Sequence, residues 1–109
     1  MDASQAGADF AASIKTTDSY RALEEAAQAI SQKPELLRRI KQYQQKQDLL
    51  YGGKLSPGQA RALSEELDAD YAEMERDSAL AAYLTANEAF GFMMETTMKQ
   101  VYNSLQVLK

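Results

Sequence analysis

Between residues 80 and 108, apolar and small side chains recur at alternating steps of three and four: Leu80, Leu84, Asn87, Gly91, Met94, Met98, Val101, Leu105 and Leu108. That period predicts one uninterrupted helix over about 78–107, carrying a single stripe along its length. About thirty residues at 1.5 Å each make a helix roughly 45 Å long. A compact domain of about 100 residues has a radius of gyration of about 13 Å and is roughly 35 Å across. The helix is therefore expected to protrude from its own chain's body, and its stripe to need a second chain as cover.

Four shorter helices precede it. Ala8, Ala11, Ala12 and Ile14, with Phe10, give a weak apolar face over 3–15. Thr16, Thr17 and Asp18 then break the pattern, and Thr17 or Asp18 can cap the next helix. Tyr20, Leu23, Ala27 and Ile30 share one face over 18–32. Pro34 suits a first helical turn, where its missing N–H costs nothing, so a third helix is expected from 34 to 51. Its stripe is Leu36 or Leu37, Ile40, Tyr43, Gln47 and Leu50, and Gly52-Gly53 stop it. Ser56-Pro57-Gly58-Gln59 is a capping-box start for a fourth helix over 57–76. There Ala60, Leu63, Leu67, Tyr71 and Met74 point inward. Asp77 or Ser78 caps the last helix.

Composition agrees. The chain's 109 residues include eighteen Ala and twelve Leu but five Val plus Ile, which selects an all-α class over a sheet. The expected architecture is one helical domain over 1–109, a bundle with a hairpin of the third and fourth helices and one long C-terminal helix. A single core at this size is marginally stable, which also favours an oligomer.

Charge is segregated along the chain. Residues 33–46 carry Lys33, Arg38, Arg39, Lys41 and Lys46 against Glu35, whereas 61–77 carry seven acids against Arg61 and Arg76. Antiparallel pairing in the hairpin is expected to set Arg38, Arg39 and Lys41 opposite Glu66, Asp68 and Asp70, unless these charges are a solvated surface. The net charge of −4 argues against direct nucleic-acid binding, which needs clustered Lys and Arg. No membrane partner is expected, because no apolar run approaches the length of a span. With no signal-like start, a cytoplasmic location is the default expectation.

His and Cys are both absent. This removes the usual transition-metal ligands, the Ser–His and Cys–His nucleophiles and the commonest general base. Carboxylates lie in runs such as Glu65-Glu66, which read as solvated helix faces. The expectation is no catalytic residue, no metal and no cofactor.

The residues expected to meet a second subunit or a partner all lie on the last helix: Leu84, Asn87, Gly91, Phe92, Met94, Met98, Val101 and Leu105. Gly91 inside a helix costs about 1 kcal/mol relative to Ala, and is read as a point of close approach for a facing helix. Asn87 is read as fixing register. Met93, Met94 and Met98 form either core or an adaptable contact surface. Phe92 falls among Thr85, Glu88, Glu95 and Lys99 on the polar face. It is read as an anchor across an oligomer or beneath the first helix, against the alternative of a single exposed aromatic.

Several short motifs run in order over about residues 8–108. They are Ser19-Tyr20 with Leu23, Pro34 with Leu37, Ile40, Tyr43 and Gln47, then Gly53-x-Leu55-Ser56, and Tyr83-Leu84-x-Ala86-x-Glu88-x-Phe90. In these the chain resembles the YlbF/YmcA/YheA family of small bacterial helical proteins, particularly its YheA-like branch. Asn87 departs from the Ala expected before Glu88. The resemblance implies an all-helical fold that dimerises or assembles further. It also implies regulation linked to competence, sporulation, biofilm formation and mRNA processing. YlbF and YmcA act with a third protein, YaaT, and can carry iron–sulfur clusters on cysteines. Without Cys that cluster role does not carry over.

The function these readings lead to is a non-enzymatic adaptor whose partners are a second copy of itself and a further protein. The alternative is a helical holdase or secretion-type chaperone using a Met-rich groove.

Overall fold

The computed structural model describes residues 1–108 as five helices, with no strand among them: α1 (Ala3–Ile14), α2 (Asp18–Ser31), α3 (Pro34–Tyr51), α4 (Pro57–Met74) and α5 (Ser78–Ser104). Each start has a local cause. Asp2, Thr17 and Asp77 accept from backbone N–H groups of the first turns of α1, α2 and α5. Lys33 precedes α3 without a side-chain cap, and Pro34 fills its first turn instead. At α4 the Ser56 hydroxyl accepts from the Gln59 N–H while the Gln59 side chain accepts from the Ser56 N–H, a complete capping box. Gly53 takes φ +73° in the α3–α4 turn, a left-handed conformation that favours glycine.

The core is small and lies at one end of α5. Ile30 from α2, Leu36 and Ile40 from α3, Met74 from α4, and Leu80 and Leu84 from α5 form one cluster, with Tyr43, Tyr71 and Tyr83 against it. α5 packs chiefly on α2, and α3 on both α4 and α2. The Tyr20 and Phe90 rings meet edge-on at 6.0 Å, so α2 reaches as far as the middle of α5. α1 contributes no buried residue, as its weak apolar face foretells.

The molecule is extended, with a radius of gyration of 17.2 Å and extents of 45 × 37 × 21 Å. The long helix is shorter than expected: it ends at Ser104, with Leu105 as its cap, so Leu108 is not part of a helical stripe. Val107 and Leu108 are 93% and 92% exposed beyond it.

Candidate functional site: the free half of α5 and the cleft beside it

The apolar stripe of α5 divides in two. Leu80 and Leu84 are 0% and 6% exposed, so Leu84 belongs to the chain's own core. Beyond Gly91 cover thins toward the end of the helix: Met94, Met98 and Val101 are half-buried, and Tyr102 and Leu105 are 66% and 67% exposed. A Cβ built at Gly91 meets nothing within 4 Å. The close approach expected at this glycine is therefore not made within one chain.

Phe92 is 72% exposed. Docking of this ring beneath the first helix is thereby corrected. The side chain projects from the flank that carries Glu88, Glu95 and Lys99, where Lys99 Nζ lies 3.4 Å from Glu95 Oε1. It sits about 120° around the helix from Met98, at 100° per residue.

Beside the core end of α5, three helices enclose a cleft of about 100 Å³ lined by Tyr43, Gln47, Tyr71, Tyr83, Asn87 and Glu88 among others. Asn87 thus faces this cleft and Gln47. The Tyr71 hydroxyl donates to the Glu88 carboxylate, and Gln44 Nε2 donates to the Tyr83 hydroxyl at 3.3 Å. Tyr43 and Tyr71 lie 6.3 Å apart with tilted rings. The hydrogen bond to Glu88, helped by burial, pushes the Tyr71 phenol up to about 12. Burial, then neighbouring Tyr51 and carboxylates, raises Tyr43. Both shifts move these phenols away from ionisation, and the Tyr71 hydroxyl keeps its proton as the donor to Glu88. Tyr43, Gln47, Tyr83, Leu84 and Glu88, which carry part of the family resemblance, converge on this cleft.

The hairpin's ion pairing differs from expectation. Lys46 Nζ, not Arg38, Arg39 or Lys41, bridges Glu66 at 2.7 Å and Asp70 at 2.6 Å. The cause is helical phase. Lys46 follows Tyr43 by three residues and shares its α4-facing side, whereas Arg38 and Lys41 are exposed on other faces. Glu66 and Asp70 stand one turn apart, so one ammonium reaches both. The hydrogen bonds that the Lys46 ammonium donates to Asp70 and Glu66 raise its pKa. The Tyr43–Tyr71 contact places this register, and the three-residue step from Tyr43 to Lys46 is the signal that would have revealed the pair.

Among the described residues no three His, Cys, Asp or Glu side chains group as a metal set, and no helix is long and apolar enough to cross a membrane.

These features define a small all-helical protein with exposed apolar side chains along its last helix and at the end of α3. The model of the family described as control of competence regulator ComK, YlbF/YmcA, matches residues 5–106, and the chain belongs to that family. No curated protein and no solved structure matches it.

Proposed function

We propose that this chain is a non-catalytic regulatory adaptor that works as a homodimer. The observation that carries this reading is the apolar end of α5, where Tyr102 and Leu105 are 66% and 67% exposed next to the half-buried Met94, Met98 and Val101. An adaptor needs one surface for itself and another for its client. The Met94–Met98–Leu105 side of α5 serves the first role, and Phe92, about 120° away, offers an aromatic anchor for a different protein. Family membership supports a regulatory setting. Placement in the YheA-like branch and a cytoplasmic location belong to the same reading, and no metal or cofactor enters it.

Sedimentation at micromolar concentrations, combined with affinity capture by the parent and by Phe92→Ser, tests it. A dimer that captures a few stoichiometric proteins, lost with Phe92→Ser, is the expected result. A stable monomer overturns the dimer. Capture of a broad set of unfolded proteins replaces the adaptor with a holdase using the methionines.

A further inference from the structure

Three tyrosines and one carboxylate meet where α3, α4 and α5 converge. Tyr43 and Gln47 stand one turn apart on α3. Tyr71 lies in the last turn of α4. Tyr83 and Asn87 stand one turn apart on α5, with Glu88 following. The buried Ile40 and Leu84 line the cleft from the core side, and no Lys or Arg lines it. Its volume of about 100 Å³ is well below the about 300–1,000 Å³ of a pocket for a drug-sized ligand. It is sized for a head group of a few heavy atoms.

The lining selects the charge of that head group. The faces of aromatic rings carry negative partial charge and attract cations. The Tyr43 and Tyr71 rings lie 6.3 Å apart and are tilted by 51°, so neither covers the other's face. Glu88 accepts the Tyr71 proton on one carboxylate oxygen. Among the described residues its other oxygen has no donor, and no Lys or Arg pairs with it. The Gln47 and Asn87 side chains make no hydrogen bond among the described residues, and each can turn a carbonyl toward an N–H donor. Burial and then Tyr51 raise the Tyr43 pKa, and Asp68, Asp70 and Glu88 add to the rise, which puts this ring in a negative field. Lys46, one turn on from Tyr43, is held between Glu66 and Asp70. Arg39 lines a separate cleft with Asp70 and Glu73. A guest anion would be repelled by Glu88, and a neutral guest would leave that carboxylate without a counter-charge.

We propose that this cleft binds an organic cation, an alkylammonium or guanidinium head lying among Tyr43, Tyr71 and Tyr83 with Glu88 as its counter-charge. Such a head comes from one of two sources, a Lys or Arg side chain of a partner protein or a free quaternary amine. The same chemistry recognises both. The site needs neither the dimer nor Phe92.

The full chain is titrated with tetramethylammonium chloride and, separately, with lysine and arginine blocked as amides at both ends. The resonances of Tyr43, Tyr71, Tyr83 and the Asn87 side-chain amide are followed by NMR. Sodium chloride at matched ionic strength controls for screening, and tert-butanol for shape without charge. The expected result is a saturable shift of these resonances with at least one organic cation, with tert-butanol at least about tenfold weaker. Glu88→Gln keeps an oxygen for the Tyr71 hydroxyl but removes the charge, and should weaken cation binding about two- to fivefold. Tyr83→Leu removes one ring and should cost a similar factor of about two to five. Glu88 is exposed, so its variant decides the matter even if Tyr83→Leu disturbs the fold. Tighter binding of blocked lysine or arginine assigns the head to a partner's side chain, and tighter binding of tetramethylammonium assigns it to a free quaternary amine. The site is overturned by the absence of a saturable shift with every cation, or by equal shifts with sodium chloride. Equal binding of tert-butanol, or a folded Glu88→Gln that binds as the parent does, overturns it as well. None of these outcomes bears on the dimer or on the Phe92 anchor, which have their own readouts.

Discussion

The Tyr71 hydroxyl donates to the Glu88 carboxylate, tying the last turn of α4 to α5 just beyond the core. The bond favours the protonated phenol and holds its pKa at about 12, above the ordinary 10.0. A group whose pKa is raised in the folded state contributes stability that is fully present below its unfolded pKa and is lost as pH rises through the folded value. For Tyr71 that window runs from 10 to about 12. Tyr71→Phe is expected to cost about 0.5–1.5 kcal/mol at neutral pH, toward the low end because the site is partly exposed. The deficit should narrow through the alkaline window. Urea melts at several pH values, with tyrosinate absorbance of both proteins, measure it; a deficit independent of pH there would show that the bond does not stabilise the fold.

At the start of α4, Ser56 and Gln59 exchange reciprocal hydrogen bonds with each other's backbone N–H groups. Ser56→Ala leaves the Gln59 N–H without its side-chain acceptor. The expected loss is about 0.5–2 kcal/mol, while Ser56→Asp should recover most of it. Denaturant midpoints read both variants, and an unchanged midpoint for Ser56→Ala would mean that water replaces the cap without cost.

Lys46 holds both Glu66 and Asp70, but its side chain is 31% exposed. Solvent screens such a pair, so Lys46→Met should lower stability only slightly. The more telling expectation concerns salt. The parent should lose stability on going from low to high ionic strength, and the variant less so. Equal salt dependence would show the bridge to be energetically silent.

The helix starts were legible because each depends on residues adjacent in sequence: Thr17, Pro34, the Ser56–Gln59 box and Asp77. The inward faces were legible for the same reason, since Ile30, Ile40, Leu67, Met74 and Leu80 fall at helical spacing. What could not be read was set by tertiary register. The hairpin's charged segments identified the right helices but the wrong cation, because segment charge carries no phase and Tyr43 packing on Tyr71 does. The cleft was hidden because Tyr71 reads as an inward stripe residue and Tyr83 only as part of a motif, and only the fold shows where their hydroxyls go. Leu84 and Leu105 share one stripe in sequence, yet one is 6% and the other 67% exposed. Periodicity locates a face but does not say which chain covers it.

That division of the stripe predicts two different phenotypes. Leu80 is 0% exposed, and Leu80→Ala should cost about 2–5 kcal/mol, enough to unfold much of so small a core. Leu105→Ala removes a side chain with little cover in its own chain and should leave the dilute monomer's melt nearly unchanged. It should instead raise the concentration at which dimers form. Thermal melts at two concentrations a hundredfold apart, on the order of RT ln of that ratio in apparent stability, separate the two; a concentration-independent loss for Leu105→Ala would place its contacts within the chain.

Phe92 is 72% exposed on the flank of α5 that also carries Glu88, Glu95 and Lys99. Burying a Phe side chain stabilises by roughly 1.5–3 kcal/mol, and the chain's own fold gains little of that here. Phe92→Ser should therefore change monomer stability by no more than about 0.5 kcal/mol, as for other surface substitutions. The ring also lies well away from the Met94–Met98–Leu105 side of α5, so the dimer should survive the substitution. What should fall is binding of the client protein, because an aromatic anchor that fills a partner's pocket carries at least about 2 kcal/mol of affinity. Thr85→Ser, a conservative change on the same polar flank, is the control. If Phe92→Ser dissociates the dimer while Thr85→Ser does not, the ring belongs to the self-interface and α5 pairs through a broader face than one seam. If client binding survives Phe92→Ser unchanged, the anchor lies elsewhere, and the cleft of Tyr43, Tyr71 and Glu88 becomes the next surface to substitute.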